Sequence, residues 1–379
     1  MEPIYRIVVF GSVNDFDGSI ETAISDLAEE FNLKIGSEIE LLKGDAILSL
    51  LPMATVGIFV GGIPTPEFRR PPSIRLNSPV IPIVSSLDRC GLELPAEVSH
   101  LNAMEYSGVD RPNAIASAAM ECLGLLPKQR RVFLSYRRTE SRNAALQLFD
   151  ELSARQFDVF LDTHDVRPGE VFQDILWHRL CESDVMVMLD TTNYFGSRWT
   201  REEFGKASFK RASILRVGWP GVTRAPELAI TDDVTLNEND LVGNERLKRD
   251  ALDRIGDKIE VLRSKSIAVR HANLAGTIFT ALREIGGSSD QTGPMRRIRM
   301  TLPSGKAVFA YPTIGVPSAE ILNEIADHAE GEPAALIYDH VGIKPRWNRH
   351  LDWLSRNIPS IRWIQASSAG WDLTAWDSE

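Results

Sequence analysis

Arg131-Val132-Phe133-Leu134-Ser135-Tyr136-Arg137-Arg138 is the stretch that decides the fold at the centre of this 379-residue chain. Three consecutive apolar residues suit a parallel strand buried on both faces, where simple alternation gives way to a continuous apolar run. The polar continuation then falls at the carboxyl end of that strand, the edge at which open α/β sheets take their ligands. An aromatic ring and two guanidiniums there suit an adenine face and a diphosphate, since arginine both stacks and makes bidentate contacts with phosphate oxygens. Taken alone, the same residues read more readily as solvated loop charges beside a packed tyrosine.

Working outward, Phe157-Asp158-Val159-Phe160-Leu161-Asp162 is a second strand, and it leads into Thr163-His164-Asp165-Val166-Arg167-Pro168-Gly169-Glu170. The Pro-Gly pair dictates a turn, and a polar stretch of that length belongs on the surface. Further on stands Ser197-Arg198-Trp199-Thr200-Arg201-Glu202-Glu203-Phe204. A helix from Thr200 onward sets Trp199 and Glu203 four apart, on one face near its N-terminus. A carboxylate beside a bulky aromatic wall suits a reaction that develops positive charge, such as departure of a base from ribose through an oxocarbenium-like state. The plain alternative is a pair of acids favoured by the helix macrodipole. The order of the motifs along the chain selects the first reading.

In that order, Ser-Tyr-Arg-Arg, Phe-Leu-Asp, Pro-Gly and Trp-x-x-x-Glu resemble a TIR (Toll/interleukin-1 receptor) domain over residues 130 to about 218. The likeness is to the NAD-cleaving TIR domains of bacteria and of the animal axon-degeneration enzyme rather than to receptor-adaptor ones. It implies a flavodoxin-like α/β fold, a parallel sheet with helices on both faces, and NAD as substrate with no further cofactor. Glu203 matches the catalytic glutamate and Trp199 the tryptophan before it. Tyr136, Arg137 and Arg138 match nucleotide-side positions, and Phe172 matches an aromatic that follows the loop. Thr163 to Glu170 takes the place of the BB loop, through which TIR domains assemble and gate their sites, so a homo-oligomer is expected. Glu202 offers a second register, and the spacing from Trp199 favours Glu203. Nicotinamide leaves a cationic ring as a neutral amide, so one carboxylate suffices. The implied products are nicotinamide and ADP-ribose, or a cyclic or variant form, in prokaryotic anti-phage immunity. A non-enzymatic scaffold for signalling assembly and a base hydrolase for another nucleotide are the competing functions.

The rest of the chain reads as two smaller α/β domains flanking the centre. Residues 1–127 carry strands at 6–10, 55–60 and 80–84, with helices at 19–31 and 113–123. This segment has neither the Tyr-Arg-Arg run nor Trp-x-x-x-Glu, so it is expected to be a degenerate TIR-like or other flavodoxin-like unit, with a sensing, assembly or purely structural role. The central domain, 128–287, is expected to hold strands at 132–135, 159–161, 185–189 and 214–217. Its helices are expected at 143–155, 172–181 and 201–211 and through 244–285, with a long loop over 220–241. Residues 288–294, within a small, polar, glycine-rich run, read as a linker. The C-terminal domain, 295–379, has a hairpin at Pro303-Ser304-Gly305, helices near 318–329 and 347–357, and strands at 334–338 and 361–365. It holds five of the eight tryptophans, without a repeat period.

A net charge of −10 argues against a chain devoted to nucleic-acid backbones, which calls for a basic face. Cys90, Cys122 and Cys181 lie far apart without metal-ligand spacing and read as buried free thiols. Apolar runs such as 54–60 are too short to span a bilayer, and the first residues lack a basic, apolar leader, so a cytoplasmic protein without membrane contact is expected. The flanking domains are the expected seats for an activating protein or nucleotide ligand.

Overall fold

The computed structural model describes residues 3–16, 18–44, 53–74, 78–108, 111–127, 129–161, 172–196, 198–209, 212–229, 231–243, 246–292, 294–329 and 331–379. The contacts divide the chain into two compact units, Met1–Lys128 with Gly293–Arg296, and Gln129–Thr292 with Arg297–Glu379. In the first unit, β1 (Tyr5–Gly11), β2 (Ile39–Lys43), β3 (Ala54–Val60), β4 (Val80–Val84) and β5 (Met104–Glu105) form a parallel sheet of order β2-β1-β3-β4-β5. Helices α1 (Gly18–Glu30), α2 (Cys90–Glu93) and α3 (Arg111–Cys122) accompany it. The order is that of flavodoxin-like folds. Strands β2 and β5 were not foreseen, because one is half polar and the other only two residues long. Gly11 ends β1 with φ +89°, where an added Cβ would meet the Val60 carbonyl oxygen at 2.5 Å, so only glycine fits.

The second unit opens with β6 (Arg131–Ser135), α4 (Arg138–Ala154), β7 (Asp158–Leu161), α5 (Phe172–Glu182), β8 (Val185–Asp190), α6 (Arg198–Phe209), β9 (Ser213–Gly218) and β10 (Asp232–Thr235). All neighbouring strands are parallel, in the order β10-β9-β8-β6-β7. Successive side chains alternate between the two faces and both faces are buried. Val132, Leu134, Val185, Val187 and Leu215 pack towards α4 and the long helix described below, while Phe133, Phe160, Met186, Met188 and Ile214 pack towards α5 and α6. Strand β10 lies inside the expected 220–241 loop. Its sequence, Asp232-Asp233-Val234-Thr235, hides it, but Arg216 on neighbouring β9 bonds Asp233 at 2.7 Å and Asp190 at 2.6 Å. A short antiparallel pair, β11 (Leu241–Val242) and β12 (Arg246–Leu247), follows.

A single 36-residue helix, α7 (Arg249–Glu284), then serves two sheets. Ala251, Ile255, Ile259 and Leu262 fill the core of the central sheet. Leu274, Ala275, Ile278 and Leu282 fill that of the C-terminal one. Gly256 lets the Arg155 guanidinium lie against the helix, where an added Cβ would meet it at 2.5 Å, and Arg155 reaches Asp253 and Asp257 at 2.8 and 2.7 Å. Arg263, fully buried, donates to Asp184 at 3.0 Å.

The C-terminal sheet runs β13 (Ser288–Thr292), β14 (Ile298–Thr301), β15 (Ala307–Thr313), β16 (Ala334–Tyr338) and β17 (Ile361–Gln365) in sequential order. Its first three strands are antiparallel, and β15, β16 and β17 are parallel. Helices α8 (Ala319–Ala329), α9 (Pro345–Asn357) and α10 (Ala369–Asp377) complete it. The supposed linker is therefore corrected: Ser288–Thr292 is an edge strand, which pairs on one side only and tolerates a polar sequence. The expected turn at Pro303-Ser304-Gly305 joins β14 to β15. Of the three thiols only Cys181 is buried, and Cys122 is exposed. The tryptophans divide likewise, Trp376 being 4% exposed and Trp371 84%. Among the described residues no helix is long and apolar enough to cross a membrane.

His178 on α5 joins the two halves of this unit. Its Nδ1 accepts from the Lys344 backbone N–H at 3.4 Å, and its ring lies 5.7 Å from that of Trp347. Burial, with help from Lys344, Arg179 and Arg131, lowers its pKa from 6.5 to about 4. The unfolded chain therefore binds a proton that the folded one refuses, so this stability is complete above pH 6.5 and is lost as pH falls towards 4. Urea midpoints should fall across that window, and His178→Asn should flatten the fall; an unchanged pH profile in the variant would contradict this.

Candidate active site

The alternation along β6 that sends Phe133 towards α5 and α6 sends Ser135 the same way, at the carboxyl end of the strand. Helix α6 answers it with Glu203, which is only 4% exposed. The Ser135 hydroxyl lies 2.5 Å from a Glu203 carboxylate oxygen and 2.6 Å from the Tyr194 hydroxyl. Glu202 is half-buried one position away, so of the two acids Glu203 is the one held at the sheet's edge.

The turn before α6 fixes that helix. Thr200 donates its hydroxyl to the Tyr194 carbonyl at 2.5 Å, and Arg201 Nε donates to the Phe195 carbonyl at 2.6 Å. Tyr194 is fully buried, and Phe195 lies edge-on to both Tyr194 and Phe204. The first turn of α6 is thus tied down by hydrogen bonds and rings together, which sets the reach of Glu203.

A second cluster lies where β6 gives way to α4. Arg137 donates through Nη1 to the Asn193 carbonyl and pairs with Glu140 at 3.8 Å. Glu140 accepts from the Asn193 backbone N–H at 3.1 Å and from its side-chain amide at 2.7 Å. Burial pushes the Glu140 carboxyl up, but the Thr191 side chain, the Asn193 donors and the Arg137 charge outweigh it and hold the pKa below the usual carboxylate value. Gly196 leaves room for Arg137, since a Cβ there would stand 2.8 Å from its Nη1. The loop after β8 is thereby clamped to the start of α4. Beside it, burial raises the Asp190 carboxyl even though Arg216 opposes the shift. On the other side of that arginine, the Thr235 hydroxyl and the guanidinium outweigh burial and hold Asp233 low.

Of the residues expected here, the structure brings Glu203 and Arg137 to the carboxyl edge. Tyr136 is 3% exposed and packs into the core on the α4 and α7 face, so its ring is a packing element in this conformation. Arg138, the first residue of α4, is exposed. The side chains of Phe172 and Trp199, and the whole of Thr163 to Glu170, lie outside the described residues. Ser135, Tyr194, Glu140 and Asn193 join these clusters through contacts distant in sequence. Strand parity could have found Ser135, whereas the Glu140–Asn193 link leaves no local signal. Among the described residues no group of three His, Cys, Asp or Glu side chains has metal-holding geometry.

The strand order defines a flavodoxin-like α/β domain, and these side chains form a candidate site at its carboxyl edge. Residues 132–253 match the TIR domain family, and the chain carries a TIR domain. That match extends from β6 into the first turns of α7. No curated protein matches the chain.

Ser135→Ala would leave the buried Glu203 carboxylate without this donor, at a cost of about 1–3 kcal/mol. The urea midpoint should fall by the corresponding amount with an unchanged slope. An unshifted midpoint would show that the bond contributes nothing to holding Glu203.

Proposed function

We propose that the TIR domain cleaves the bond between nicotinamide and ribose in NAD. The observation that carries this reading is Glu203, turned inward onto Ser135 at the ligand-binding edge of the sheet while Glu202 is not. In the proposed reaction the bond from ribose C1′ to the pyridinium nitrogen breaks and its electron pair stays with nicotinamide, which leaves neutral. The ribose becomes oxocarbenium-like, and the Glu203 carboxylate stabilises that charge and orients the sugar hydroxyls. Water then adds at C1′ to give ADP-ribose, or an internal nucleophile closes a cyclic or variant form. Arg137, beside Asn193 at the same edge, is the proposed diphosphate contact. The TIR resemblance suggests a setting in prokaryotic anti-phage defence, where the reaction would deplete NAD or make a signal.

The 4% exposure of Glu203 supports a second reading, a non-catalytic assembly module. It fits the enzyme equally well if self-association through Thr163 to Glu170 opens and completes the site, as TIR domains generally self-associate. On that proposal the isolated chain is poorly active and turnover rises steeply with protein concentration.

The test is nicotinamide release at high protein concentration from wild type, Glu203→Gln and Glu202→Gln, with NADP and nucleosides as alternative substrates. Glu203→Gln should lose about 100-fold or more, the scale expected for removing one preorganised electrostatic contact, and Glu202→Gln should stay within a few-fold of wild type. Equal turnover by wild type and Glu203→Gln would remove the catalytic assignment. Stable complexes without any loss of NAD would favour the scaffold.

A further inference from the structure

Away from the TIR site, a cavity of about 390 Å³ opens at the carboxyl ends of β15, β16 and β17. One wall is the second half of α7, and Cys181 at the end of α5 contributes to the rim. Its volume is in the range of small-molecule pockets, and the carboxyl edge of parallel strands is where α/β sheets take ligands. The polar side chains facing it are Arg270, Asn273, Thr277, Thr313, Asp339 and Ser367.

Their bonding within the protein determines what they offer. Arg270 donates through Nη1 to the Ser183 carbonyl and through Nη2 to the Cys181 carbonyl, each at 2.9 Å. These neutral partners fix the guanidinium without cancelling its charge. Burial pushes its pKa down, opposed by Asp184, Cys181 and Asp339, and the guanidinium lines the cavity. The Thr277 hydroxyl donates to the Asn273 carbonyl at 3.0 Å and the Thr313 hydroxyl to the Tyr311 carbonyl at 3.4 Å. Both therefore meet the cavity as acceptors. Asp339 adds a carboxylate, steadied by the Val341 N–H at 3.0 Å. An acceptor-rich lining recognises hydroxyl donors, the fixed cation recognises an anion, and Leu274, Val316 and Ile343 supply an apolar wall for a flat ring.

We propose that this cavity is a binding site for a ribonucleoside monophosphate. The phosphate pairs with Arg270, the ribose hydroxyls donate to Asp339 and the threonine oxygens, and the base lies on the apolar wall. The proposal is independent of whether the TIR domain cleaves NAD. Its occupant would bridge α5, α7 and the C-terminal sheet, so binding would tighten the junction between the two halves of this unit.

Titration calorimetry of the full chain with AMP, adenosine and ribose 5-phosphate tests this. AMP should bind saturably, and adenosine, lacking the anion, at least about 10-fold more weakly, a difference of about 1.4 kcal/mol. Thr277 is exposed on α7, so Thr277→Trp places an indole at the mouth without entering the core. It should weaken AMP by 10-fold or more while leaving the thermal midpoint of the free protein unchanged. Should that midpoint fall, Asp339→Asn serves as the second variant, weakening AMP more than 2′,3′-dideoxy-AMP. Absence of AMP binding at millimolar concentration overturns the proposal. So does AMP binding that neither variant affects, which would locate the nucleotide at the TIR site.

Discussion

One helix shared by two hydrophobic cores is the constraint on which the second unit depends. At 1.5 Å per residue the 36 residues of α7 span about 54 Å, far more than one small sheet requires. Its first half is the cover of the TIR sheet and its second half the cover of the C-terminal sheet. Each sheet buries one face against it, so one continuous helix joins the two cores. Two arginines pin the middle of the helix. Arg263 meets Asp184, and Arg270 caps the carbonyls of residues 181 and 183 at the end of α5. Removing one partner of such a buried pair typically costs about 3–5 kcal/mol, because the charge left behind has no water to turn to.

The same double burial sets up the chemistry. A parallel sheet covered on both faces is open only at its strand ends, and parity decides which face each end residue looks towards. Ser135 looks towards α6, so the carboxylate that meets it comes from α6, at a helical position fixed by the Thr200 and Arg201 bonds to the preceding turn. A carboxylate this buried is poised rather than solvated. In the proposed reaction such surroundings strengthen its electrostatic effect on a developing cation. The clamp of Arg137 and Glu140 on Asn193 ties the loop after β8 to the start of α4 at the same edge.

Much of this was legible because it rests on local pattern. Apolar runs marked β6, β8 and, interrupted by Arg216, β9, and Trp-x-x-x-Glu marked the start of α6. Elements whose stability comes from distant partners were not legible. Strand β10 has one valine among polar residues and is secured by Arg216 from β9. Strand β13 is an edge made of serine, aspartate, glutamine and threonine. The buried positions of α7 do not keep one stripe, because its two halves face two sheets, and its interior arginines read as surface charges until Asp184 is brought alongside. At the site, sequence order pointed to Glu203 and Arg137 but treated Tyr136 as a ligand contact, where its neighbours in space make it part of the core.

The central claim, cleavage of the nicotinamide–ribose bond, is tested most directly by the stoichiometry of the wild-type reaction. NAD, nicotinamide, nicotinamide mononucleotide and AMP would be quantified together by chromatography over a full time course at high protein concentration. The account predicts one nicotinamide released for each NAD consumed, with the adenine recovered in ADP-ribose or its cyclic or variant forms. Nicotinamide mononucleotide and AMP appearing in equal amounts, or NAD remaining intact, would contradict it.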